Sequence, residues 1–298
     1  MEVTASPARC IEACQEARQG GRFVGFVPTM GALHDGHTRL VKTARDECGF
    51  VTLSIFVNPL QFGAGEDLAG YPRQLEVDLE TADALGCDLA FAPSERAMYP
   101  DGTPRVTVDP GPLGDRLEGR SRPGHFRGVL TVVTKLLNLV GPCRAYFWEK
   151  DAQQLALVRR MVEDLDIRAE IAGCPTVRDA DGLALSSRNA YLSPQERGAA
   201  AVLFEALSAA ASMIRQGERS GDVLRAEMAK RIGAEAMARL DYVAVVDDAS
   251  WEDVEDLERS ARALVAARIG RARLIDNLLL PWEPGWTAQE SGWAERKD

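Results

Sequence analysis

The chain has 298 residues, a hydrophobic fraction of 46% and a formal net charge of −10 at pH 7. That length allows one large globular domain or two ordinary ones, and the acidic balance argues against general affinity for DNA, RNA or anionic lipid. No run of eighteen apolar residues marks a membrane span, the first residues carry neither the basic nor the apolar segment of a secretory signal, and six cysteines without a Cys-x-x-Cys pair indicate a reducing compartment with no disulfide framework.

Residues 7–19 predict a leading helix, stopped by Gly20-Gly21. The apolar run Phe23-Val24-Gly25-Phe26-Val27 predicts a buried strand that Pro28 should end, since proline cannot donate to a sheet ladder. Pro28-Thr29-Met30-Gly31 then leads into His34-Asp35-Gly36-His37, and a helical pattern runs from about 36 to 48. Gly31 permits turn dihedrals closed to other residues and close approach of a ligand. Two of the chain's three histidines therefore sit where a strand becomes a helix, the edge at which open parallel sheets bind ligands. Free amides at that helix start favour phosphate. The pair suits holding nucleotide phosphates during transfer. Surface or capping positions are the alternative, and a metal pair ranks below because no third soft ligand stands at useful spacing.

Residues 50–57 read as a strand covered on both faces. It ends in Asn58-Pro59-Leu60-Gln61, whose amides suit recognition of a small polar substrate, with Asn58 equally a turn amide. The glycine-rich stretch 63–73 reads as a mobile loop that closes over reacting groups. A helix at 74–85 carries Asp78, a candidate for approaching magnesium whose alternative is an exposed carboxylate, and a short strand follows at 88–91. Residues 92–127 are rich in Pro and Gly, with a short strand expected at 105–108 and a basic cluster holding Arg122 and His125. That cluster is either a solvated patch or a clamp for phosphate or carboxylate. A buried helix at 128–140 and a strand at 145–148 lead to Glu149-Lys150-Asp151, where Lys150 suits developing charge on phosphate. Gln154 shares its helix face. The last strand of this half is expected at 167–171.

Ser186, Ser187 and Arg188 lie in one loop beside a glycine turn and suit triphosphate oxygens, with an interdomain connection as the alternative. Ser193-Pro194-Gln195-Glu196 is a strong helix start. An alanine-rich helix to about 216, a second helix at 222–232 and strands at 241–246, 261–267 and 273–277 follow. The expected architecture is α/β: a Rossmann-like parallel-sheet domain over 1–177, a smaller helical α+β domain with a short sheet over 178–280, and a loosely attached tail at 281–298.

The stretches Pro28 to His37, Ser54 to Phe62, Glu66 to Arg73, Arg122 to Val129, Glu149 to Leu155 and Pro175 to Tyr191 together resemble the pantothenate synthetase (pantoate–β-alanine ligase) family, within the class I synthetase and nucleotidylyltransferase group. The resemblance covers roughly residues 10 to 280. It implies attack of pantoate carboxylate on the α-phosphate of ATP, giving pantoyl adenylate and pyrophosphate, followed by attack of β-alanine to give pantothenate and AMP. It also implies that His34, His37, Lys150, Ser186, Ser187 and Arg188 hold the phosphates, with Pro28, Thr29, Met30 and Gly31 in the same nucleotide site. Gln61 and Gln154 would hold pantoate, Met30, Arg122 and His125 would line its pocket, Asp151 would address the ribose and Val177 would pack near adenine. Magnesium would accompany the triphosphate, and a cytoplasmic homodimer with no nucleic acid or membrane partner is expected. Three positions depart from the family pattern: Leu60, Ala152 and Trp148, the last replacing the glycine of Phe-Gly-Glu-Lys-Asp. The expectation is that the indole packs away from the adenine site. Two competing readings are a nucleotidyltransferase acting on a phosphorylated acceptor, which does not need Gln61 and Gln154, and a non-catalytic relative.

Overall fold

A computed structural model describes residues 1–63, 66 and 68–280. The chain divides into two units, Met1–Thr176 and a second that begins at Val177. The first unit runs β1 (Glu2–Thr4), α1 (Pro7–Gln19), β2 (Val24–Thr29), α2 (Asp35–Glu47), β3 (Phe50–Ile55), a 3-10 turn (Pro59–Gln61), α3 (Leu75–Ala84), β4 (Leu89–Phe91), α4 (Glu95–Met98), α5 (Glu118–Ser121), α6 (His125–Val140), β5 (Cys143–Trp148), a second 3-10 turn (Glu149–Asp151), α7 (Ala152–Asp164) and β6 (Ala169–Cys174).

All six strands are parallel, in the order β1-β4-β3-β2-β5-β6. Strand residues alternate between two apolar layers, as the period of two requires. Val24, Phe26, Ala145 and Phe147 face one core with α1, α6 and α7. Val27, Leu53 and Tyr146 face the other, with Leu40, Val41 and Ala44 of α2 and Ala82 of α3. This is the doubly wound arrangement expected from the sequence. The order reverses between β2 and β5, so the loops leaving those two strands flank the switch point, where such sheets bind ligands.

Pro28 does not end β2, which continues to Thr29. The β2–β5 register stops at Phe26↔Ala145, while Phe56 N–H donates to Thr29 O on the β3 side. Backbone groups alternate sides along a strand, so the missing Pro28 N–H faces the side where pairing has ended. The expected strand at 105–108 is absent: Val106 is exposed, and Val108 N–H donates to Thr131 Oγ1 of α6 at 3.0 Å instead of to a sheet. Conversely β1 escapes a sequence reading, because its three residues acquire strand geometry only by pairing with β4. Residues 64, 65 and 67 of the expected closing loop lie outside the described residues, as does the expected tail at 281–298.

The second unit contains α8 (Pro194–Ala199), α9 (Val202–Arg215), α10 (Gly221–Ala234) and an antiparallel sheet β7 (Ala238–Asp247), β8 (Ala261–Ile269), β9 (Ala272–Leu280). The capping box at Ser193 and Glu196 forms as expected. The single alanine-rich helix is broken by a turn at Ala200-Ala201. By length and composition alone, Pro194–Arg215 would pass for a membrane span. Its apolar residues Ala206, Leu207 and Ala210 are instead fully enclosed with Leu224, Met228 and Val265 in this unit's core.

Candidate active site

The β2–α2 turn is built by three local devices. Thr29 Oγ1 donates to Ser54 O at 2.7 Å and accepts from Gly31 N at 3.1 Å. Gly31 has φ +81 and Ala32 φ +52, both left-handed. Asp78 of α3 is 1% exposed and accepts from Leu33 N at 2.8 Å and Ala32 N at 2.9 Å, one amide on each oxygen. A Cβ at Gly31 would lie 2.8 Å from Asp78 Oδ2, so glycine is required there by space as well as by dihedral. These contacts correct the reading of Asp78 as an exposed carboxylate: it is buried and clamps the backbone of the histidine turn.

His34 is the N-cap of α2. Its Nδ1 accepts from Gly36 N at 3.2 Å, and His37 Nδ1 accepts from His34 N at 3.4 Å. Both rings cap the helix, and that role is compatible with ligand binding. A neutral ring whose Nδ1 accepts carries its proton on Nε2. Each imidazole thus retains an Nε2–H donor. Burial, then the Lys150 charge, lowers the His34 pKa; burial, His34 and Lys150 together pull His37 down to about 3. Both rings are neutral near pH 7, so they are hydrogen-bond donors and the cationic charge beside them is that of Lys150. Lys150 follows β5 on the other flank of the switch point, with Nζ 3.7 Å from Asp151 Oδ1.

Gln61 reaches the same turn, its Nε2 donating to Met30 Sδ at 2.9 Å. Its orientation is set from behind. Tyr99 OH donates to Asn58 Oδ1 at 2.9 Å, which commits Asn58 Nδ2 to donate to Gln61 Oε1 at 3.1 Å and Gly128 O at 3.2 Å. Gln61 Oε1 is then an acceptor facing Asn58, and its NH2 must face Met30. Asn58 is more than the turn amide that its place before Pro59 suggests.

Arg122 and His125 are tied together and to their neighbours by hydrogen bonds. Arg122 grips both Glu66 oxygens at 2.8 and 2.7 Å and donates to His125 Nε2 at 2.9 Å. His125 is 8% exposed, and its Nδ1–H donates to Gln61 O at 2.8 Å. Burial, reinforced by Arg122, holds its pKa down at about 4. The basic cluster therefore pins the main chain of Gln61. Gln154 lies half-buried in the first turn of α7; its neighbour Gln153 is buried and structural, donating to Leu113 O and Arg116 O and accepting from Glu118 N.

The structure thus brings together Met30, His34, His37, Gln61 and Lys150 beside Pro28, Thr29 and Gly31. Val177, Ser186, Ser187 and Arg188 belong to the second unit, where Ser186 Oγ accepts from Arg188 N at 3.3 Å and caps the 3-10 turn Ser187–Tyr191. Among the described residues no group of three His, Cys, Asp or Glu side chains forms a metal site.

The indole of Trp148 does not pack away from this site. It touches the apolar layer of α2, yet its ring lies 6.0 Å from both histidine rings, edge-on to His37 at 86°.

Residues 2–279 match the family model for pantoate-beta-alanine ligase. The chain is 54% identical to the pantothenate synthetase of Heliobacterium modesticaldum over 89% of its own length and 94% of that protein's. Its fold is similar to the crystal structure of pantothenate synthetase from Thermus thermophilus, with TM-score 0.88 and 49% identity over 93% of this chain and 99% of that one. It is also similar to a pantoate-beta-alanine ligase from Francisella tularensis complexed with beta-gamma ATP and beta-alanine, with TM-score 0.76 and 36% identity over 94% and 98% of the two chains. With the family match running from residue 2 to residue 279 and a relative 54% identical over 89% of the chain, the chain belongs to the pantoate–β-alanine ligase family.

Proposed function

We propose that the protein condenses (R)-pantoate with β-alanine, using ATP and passing through pantoyl adenylate. The observation that carries this reading is the pairing, at one switch point, of two neutral Nε2–H imidazoles and an ammonium with an amide oriented by its own hydrogen-bond relay. The first group suits phosphate oxygens and the second a hydroxy acid.

A pantoate carboxylate oxygen bonds to the α-phosphorus, and the bond to the bridging oxygen breaks to release pyrophosphate. The amine of β-alanine then bonds to the acyl carbon, loses a proton and displaces AMP. No enzyme nucleophile is needed, because the substrate carboxylate is the nucleophile. His34, His37 and Lys150 act by placing donors where phosphate charge develops, and Gln61 with Met30 and Gln154 holds pantoate in line. Roles for Ser186, Ser187 and Arg188 on the triphosphate, Asp151 on the ribose and Val177 near adenine rest on the sequence resemblance. So do magnesium carried on the phosphates, a homodimer and a cytoplasmic location.

Incubation with ATP, pantoate and β-alanine tests this. Pantothenate, AMP and pyrophosphate in equal amounts are expected. A stable nucleotidylated product without an amide would overturn it in favour of a nucleotidyltransferase.

A further inference from the structure

Trp148 ends β5 in extended geometry (φ −80, ψ 137), immediately before the turn that carries Lys150. Its ring lies over the start of α2. A Cβ built on Gly36 would collide with Trp148 Cη2 and Cζ2, so the edge of the indole rests on the Gly36 backbone. The same Cβ would lie 2.9 Å from His34 Cε1, which places the indole, Gly36 and the first imidazole in one contact. With ring contacts to both histidines, the indole roofs the helix start and the two rings. Those are the groups that a nucleotide must meet under the function proposed above, and this inference rests on that reading.

We propose that Trp148 is a nucleotide gate. In the free enzyme its indole occupies the Gly36 surface and competes with ATP; binding requires the ring to swing off the histidine turn. The closed position is favourable because the ring edge meets two imidazoles and an apolar layer. ATP therefore binds only the open fraction, and its apparent affinity falls in proportion to that fraction. Pantoate is not gated. Gln61 and Met30 meet each other, and the relay that orients Gln61 runs through Asn58, Tyr99 and Gly128, none of which is a ring partner of Trp148. The gate should thus separate the two substrates, a distinction that a merely structural tryptophan would not make.

The test compares the natural protein with Trp148→Gly and Trp148→Phe, measuring ATP binding by calorimetry and the KM values from pyrophosphate release. Removing the ring should lower the ATP dissociation constant and KM roughly tenfold, on the scale of one or two aromatic contacts. The pantoate KM should stay the same, and the phenylalanine variant should fall between. An ATP affinity unchanged or weakened in Trp148→Gly overturns the gate. If Trp148→Gly melts far below the natural protein, Trp148→Phe decides: tighter ATP binding supports the gate, and unchanged binding refutes it. Should all three proteins bind ATP yet release no pyrophosphate with pantoate, the ligase reading fails while calorimetry still judges the gate.

Discussion

Asp78 offers the sharpest test of how the histidine turn is held. Replacing it by alanine leaves the amides of Ala32 and Leu33 without their acceptors, now 2.9 and 2.8 Å away. A buried donor left unpaired costs about 1–3 kcal/mol, so two cost about 2–6 kcal/mol. Removing a desolvated carboxylate offsets part of that. A net loss of about 3 kcal/mol corresponds to a fall of roughly 6–12 °C in melting temperature for a unit of this size. Asp78→Asn keeps one acceptor oxygen but turns an NH2 toward the other amide, and should fall between. The assay is thermal and urea unfolding followed by circular dichroism, with pyrophosphate release measured on whatever remains folded. Activity should drop further than the folded fraction, because Met30 and His34 flank the clamped residues. An Asp78→Ala protein that melts with the natural one and retains its turnover would refute the clamp.

Three other outcomes follow from the site. Replacing His34 or His37 by alanine should slow pantoate-dependent pyrophosphate release by roughly 100- to 1,000-fold while the lost cap costs only about 1 kcal/mol; near-normal release in both variants would contradict their donor role. In Gly128→Ala the new Cβ runs into the Leu60 carbonyl and the Gln61 amide, which are backbone and cannot yield like a side chain. The pantoate KM should rise well above the change in the ATP KM, and equal changes would argue that Gln61 does not hold pantoate. For pH, His125 is held at about 4 against an ordinary value of 6.5. Between those values the unfolded chain binds a proton that the folded one refuses. Its contribution to stability is full above pH 6.5 and declines as pH falls toward 4, by about 1.4 kcal/mol per pH unit. His37, held at about 3, and His34, also lowered, add losses of the same sign over this range. Stability from denaturant unfolding should therefore fall between pH 7 and 5 by more than His125 alone supplies, and His125→Gln should remove its share and leave the rest.

The sequence by itself determined the elements whose signals are local. Gly20 ends α1, the Ser193–Glu196 box starts α8, and apolar runs mark the inner strands, because caps and periodicity act within a few residues. The turn holding His34 and His37 was legible for the same reason: a strand, a glycine and a helix start are adjacent in the chain. Gln61 and Lys150 were legible as polar groups at strand ends. What only the tertiary structure decided is whom each polar side chain meets. Asp78 finds its amides 45 and 46 residues away, and His125 finds Gln61 at a separation of 64. No local rule distinguishes such a carboxylate from an exposed one, or a positioning histidine from a substrate contact. The same holds for Trp148, whose place at the end of β5 was readable but whose seat on Gly36 was not. β2 and β5 are adjacent only because the sheet reverses its order there. Backbone conformation is chosen largely by neighbours in sequence, whereas the partner of a side chain is chosen by neighbours in space, and those exist only once the sheet has formed.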